Sequence, residues 1–153
     1  KYKSSYNIME PLLITSSFLF GREFMSQTIT KSTKNILGGV TSILKDEDFI
    51  FKKILRDYDL TSKVEVINSY INEVTNNEQI LEKESIKLAI KNLINILQKI
   101  SGEIKLIELY IKEHKKLWFH RFRTPEYKIL LINLETDIRI LSERFDLLIK
   151  IKN

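Results

Sequence analysis

The sequence predicts an all-α fold, a bundle of four main helices plus one short helix, built as a single domain over residues 1–153. Three observations carry that expectation. Between Ile86 and Trp118 the apolar residues fall at Ile86, Ile90, Leu93, Leu97, Ile100, Ile104, Ile107 and Ile111, then at His114 and Trp118. Those steps alternate four and three, the repeat of a helix that keeps one seam against a partner. A second stretch, Tyr127, Leu131, Leu134, Ile138, Leu141, Phe145 and Leu148, has the same alternation. The composition agrees: with 4 Gly and 2 Pro in 153 residues there are few turn signals for a β architecture.

Taken in order, residues 1–8 read as a loose, flexible terminus. From Met9 to about Leu44 the pattern is helical, with Leu12, Leu13, Phe18, Leu19, Phe24, Met25, Ile29, Ile36, Leu37, Val40, Ile43 and Leu44 as candidate buried positions. Gly38-Gly39 costs about 1 kcal/mol per glycine relative to alanine, so a kink or a close helix contact is expected there. The acidic run Asp46-Glu47-Asp48 suits a helix start. It opens a short helix to about Tyr58 that buries Phe49, Ile50, Ile54 and Leu55. Thr61 or Ser62 caps the next helix, which presents Val64, Ile67, Tyr70, Ile71 and Val74. Thr75-Asn76-Asn77 reads as a polar joint.

The central rod is expected from about Glu78 to Trp118. At about 1.5 Å per residue its stretch from Ile86 to Trp118 is about 50 Å long, with Ser101-Gly102 a soft point and Ile94, Ile96, Leu106 and Leu109 widening the seam. Thr124-Pro125-Glu126 places a cap, a first-turn proline and a first-turn acid in a row, a clear helix start. Two matching seams joined by so short a segment predict a long antiparallel hairpin over residues 78–151.

The chemistry-bearing residues are few. No cysteine is present, which excludes a disulfide framework and a thiolate-ligated metal and suits an intracellular setting, cytoplasmic or at a membrane periphery. No run of about 18 apolar residues could span a bilayer, and no signal peptide is read at the start. His114 stands at a seam position and His120 in a basic segment; neither has a partner at metal-ligand spacing. Serines lack the Gly-x-Ser-x-Gly turn of a nucleophile, and acid pairs such as Glu82/Glu84 read as solvated helix surface. No enzyme, no cofactor and no metal are therefore expected.

The charge is more informative. The net charge is +5, and residues 112–123 alone carry +4, through Lys112, Lys115, Lys116, Arg121 and Arg123 against Glu113. There cations alternate with Trp118, Phe119 and Phe122. A focused patch of this kind attracts anions. Lys112, Lys115, Lys116, Trp118, His120, Arg121, Phe122 and Arg123 are the candidate contact for anionic phospholipid, with cations on phosphates and aromatics at the interface. The patch is a small footprint for nucleic acid. A structural alternative has Trp118, Phe119 and Phe122 closing the end of the core behind a wet cationic rim.

Ser101-Gly102-Glu103-Ile104, then Trp118-Phe119, Arg121-Phe122 and Thr124-x-Glu126-Tyr127-Lys128, lead into the helix of Leu131, Leu134, Ile138, Leu141, Phe145 and Leu148. Over this third of the chain the sequence resembles the third and fourth helices of the amino-terminal bundle of mixed-lineage kinase domain-like pseudokinases. Related helical domains occur in fungal HeLo proteins and plant resistance proteins. The resemblance implies a cell-death bundle that oligomerises, binds acidic phospholipid and regulates or executes membrane permeabilisation. Residues 1–75 show no counterpart of that family's first two helices. The Ile, Lys and Asn bias fits an AT-rich genome, such as that of a large DNA virus or of certain fungi. The expectation is thus a non-enzymatic interaction module with a protein partner or a second copy of itself, its alternative a structural, assembly or adaptor protein.

Overall fold

A computed structural model describes residues 21–45, 49–117 and 127–153. The elements are α1 (Arg22–Leu44), α2 (Phe49–Tyr58), α3 (Leu60–Asn76), α4 (Glu78–Leu81), α5 (Glu84–Lys116) and α6 (Lys128–Lys152). The fold is all-α. Four long helices form the bundle, and α2 and the single turn α4 are short connectors.

Side-chain pairs give the direction of each helix. Lys99 on Asp137 and Arg144 on the Asn92 carbonyl descend along α6 as they ascend α5, so this most extensive pairing is antiparallel. Arg22, Ser26 and Thr30 bond Asn76, Asn72 and Asn68 in turn, an antiparallel ladder with one rung per helical turn on both α1 and α3. Gly39 lies against Ile104 and Ser42 bonds Glu108, so α1 runs parallel to α5. Lys63 reaches Ser142, and the Tyr70 ring packs edge-on to Phe145 at 5.3 Å, closing the ring of helices from α3 to α6.

The eight apolar seam residues from Ile86 to Ile111 are all buried, as are Tyr127 at the N-cap of α6 and Leu131, Leu134, Ile138, Leu141 and Leu148 within it. Ile104 and Ile138 belong to the same core. Each fully buried aliphatic side chain of this kind contributes about 1.5–3 kcal/mol, which is why the two seams find each other. The helix α1 passes through Gly38 and Gly39 unbroken. A β-carbon at position 39 would collide with the Ile104 side chain, so the glycine serves a close approach of α1 to α5 rather than a kink.

Several boundaries and faces differ from the sequence reading. The rod begins at Glu84, because Asn77 accepts from the Ile80 amide and caps the separate turn α4, and the chain turns extended at Lys83. The hairpin therefore comprises 84–116 and 128–152. Helix α3 is entered through Asp59, which adopts the left-handed conformation at φ 46° and ψ 48° and accepts from Ser62 Oγ at 2.9 Å. Burial of Leu60 draws the corner to this position, ahead of the expected Thr61 or Ser62 cap. In α2 the buried ring is Phe51, whereas Ile50 is 54% exposed. Phe24, Leu44, Leu106 and Leu109 are exposed as well. The expectations for residues 1–20, the acidic run 46–48, the Phe49 side chain and the Thr124 cap lie outside the described residues.

Candidate functional site

The described part of the predicted cationic site occupies the last turns of α5. Lys112 Nζ pairs with Glu108 Oε1 at 2.7 Å, and Lys116 Nζ with Glu113 Oε1 at 2.6 Å. Glu108 also accepts from Ser42 Oγ at 2.6 Å. The hydrogen bonds from Lys112 and then Ser42 hold its carboxyl below the ordinary range. A charge count over 112–123 omits Glu108, which stands one turn earlier on the same helix face, so the local field is weaker than that count implies. Lys115 shares this helix end and is exposed. Trp118, His120, Arg121, Phe122 and Arg123 lie outside the described residues, and with them the loop that carries most of the family resemblance.

A second feature is the outer face of the hairpin. Along α5, Leu88, Leu106, Leu109 and Tyr110 are exposed, as is Leu117 at its C-cap; along α6, Ile129, Ile132 and Leu147 are, Ile129 by 70%. At 3.6 residues per turn Leu88, Leu106, Tyr110 and Leu117 on one side, and Ile129 and Leu147 on the other, lie across the α5–α6 contact line from their own core stripes. In an antiparallel pair the two sets then face the same way. The register set by Lys99–Asp137 and Asn92–Arg144 brings Leu88 level with Leu147, and Leu106 and Leu109 level with Ile129. The face thus carries an apolar cluster at each end. Lys99 and Gly102 lie between them, and the glycine has open space where a β-carbon would stand.

The third feature was missed by the sequence reading. Asp137 is 1% exposed at the α5–α6 seam, with Oδ1 held by Lys99 Nζ at 2.8 Å. Glu103, one turn along α5 from Lys99 and 8% exposed, meets Asp137 across the seam. Burial, and then the neighbouring Asp137 charge, push its carboxyl from an ordinary 4.5 up to about 8. A signal for the pair was available. Glu103 adjoins the seam residue Ile104, Asp137 adjoins Ile138, and folding the hairpin brings the two within about one helical turn of each other.

Elsewhere, Tyr58 Oη donates to Glu135 Oε1 at 2.5 Å, which pushes the phenol pKa up. Shallow polar hollows flank α1 beside Ser26, Thr30 and Lys34. Among the described residues, no group of three or more His, Cys, Asp or Glu could hold a metal ion, and no helix is long and apolar enough to cross a membrane.

Comparison with known proteins finds no matching family model and no matching solved structure. The chain is similar to the uncharacterized protein L717 of Acanthamoeba polyphaga mimivirus, with 26% identity over 173 aligned positions that take in 97% of this chain and 82% of the relative.

Proposed function

We propose that this chain is a non-enzymatic interaction protein that pairs with other helical surfaces, its own copies among them, through the outer face of the α5–α6 hairpin. The observation that carries this reading is the set of exposed apolar residues on that face, Leu106 and Ile129 foremost. Exposed aliphatic side chains in register on two rigid helices suit helix-on-helix docking. The same face serves an assembly or adaptor role, and similarity to a mimivirus protein is compatible with a viral origin for such a component. Light scattering over a concentration series tests the self-pairing form. The apparent mass should rise with concentration and return to that of the monomer in Leu106→Glu/Ile129→Glu, with helicity retained. A wild-type chain that stays monomeric at the highest concentration removes self-pairing.

A second reading has the hairpin end engage anionic phospholipid, in keeping with the resemblance to cell-death bundles. It is supported by Lys112, Lys115 and Lys116 gathered at the end of α5 beside the exposed Leu109 and Leu117. Co-sedimentation with vesicles separates the two. Binding to acidic vesicles that Arg121→Ala/Arg123→Ala abolishes without loss of helicity favours lipid, and equal behaviour toward neutral and acidic vesicles rejects it.

A further inference from the structure

Two carboxyl groups face each other inside the α5–α6 seam, and one lysine cannot neutralise both. Asp137 spends Oδ1 on Lys99, while its Oδ2 and the Oε2 of Glu103 are buried without a hydrogen-bond donor among the described residues. Two buried acceptors cannot satisfy each other unless one of them carries a hydrogen. We infer that Glu103 and Asp137 hold a single proton between them across the seam, and that this proton is a pH-sensitive latch on the hairpin.

The surroundings favour that arrangement. The charges acting on Glu103 are Asp137 from α6, which disfavours its ionisation, and Lys99 from its own helix, which favours it. The adjacent helix α1 meets this level of α5 with Gly39 against Ile104 and, a turn further on, with Ser42 on Glu108. Lys99 is 60% exposed at its side chain, so water screens its charge, whereas the carboxyl pair has almost no access to water. Loss of the proton to solvent leaves two carboxylates in contact beneath one screened cation, and the seam opens at this level to hydrate them.

The sign follows from linkage. Folded Glu103 keeps its proton to about pH 8, whereas in the unfolded chain it loses it near the ordinary 4.5. The folded state therefore binds the extra proton between those values. The stabilisation is complete below the unfolded pKa, declines as the pH climbs through that window and is gone above the folded pKa. Acid tightens this hairpin, the reverse of an ordinary salt-bridged carboxylate.

The full chain and its Glu103→Gln variant are melted by circular dichroism from about pH 5 to about pH 9. Glutamine keeps the shape and a donor but cannot ionise, and every other titrating group is common to both proteins. The melting temperature of the variant minus that of the wild type should rise by at least about 4 °C across the range. A difference that stays flat overturns the latch. Carbon-13 carboxyl titration of the wild-type chain decides independently should the variant fail to fold. One buried carboxyl resonance should titrate above about pH 7, and completion of every carboxyl titration below about pH 5.5 rejects the shared proton.

Discussion

At the scale of single residues, three glycines inside helices differ in what surrounds them. Gly39 is set against Ile104, a branched buried side chain with little room to yield, whereas Gly38 and Gly102 have nothing within 4 Å of an added β-carbon. Alanine normally gains about 1 kcal/mol over glycine in a helix interior, but forcing atoms into a packed contact costs about 1–3 kcal/mol. Gly38→Ala and Gly102→Ala should each raise the melting temperature, while Gly39→Ala should lower it. A stabilising Gly39→Ala would mean that α1 does not lie closely on α5. Composition made the Gly38-Gly39 pair conspicuous, and only the packing distinguished one glycine from its neighbour. Glu103 and Asp137 were harder to read, because each is a charged residue beside a seam position and becomes informative only when the other arrives from a different helix.

At the scale of elements, the corner between α2 and α3 turns on one left-handed residue. Asp59 is tolerated there because its short polar side chain bonds locally, to Ser62 Oγ. Asp59→Ala loses that compensation and should destabilise the chain by about 1 kcal/mol, whereas Asp59→Gly should stay within a few tenths of the wild type; urea midpoints measure both. The α1–α3 ladder gives a second test. Asn72→Ala leaves the half-buried Ser26 hydroxyl without its partner at 2.7 Å and should cost about 0.5–1.5 kcal/mol. Pairing it with Ser26→Ala should recover part of that loss, since the orphaned group then disappears. These rungs could not be read in advance. Asn68, Asn72 and Asn76 are spaced one turn apart in the sequence, but nothing in α3 alone names Thr30, Ser26 and Arg22 as their partners.

For the whole molecule, the apolar surface is divided unequally among the helices. The inner stripes of α1, α3, α5 and α6 converge on one core, whereas the hairpin leaves an outer face that no described helix covers. Replacing Leu88 and Leu147 by glutamate, at the end of that face remote from the lysines, separates the two functional readings. It should weaken self-association seen by light scattering and leave vesicle binding unchanged. Loss of vesicle binding in this variant would assign the lipid contact to the whole face rather than to the helix end.

The sequence by itself determined the helices and their inner seams, since each buried stripe is written into one helix at 3.6-residue spacing and needs no partner to be seen. It determined too that the long α5 and α6 would pair, because a short connection leaves two matching seams little choice. Tertiary structure alone decided which flank of each helix stays in water, that Ser42 would reach Glu108, and that two carboxyl groups would meet in the seam. Those outcomes depend on register between helices far apart in the chain, and local periodicity is the same whatever register they adopt.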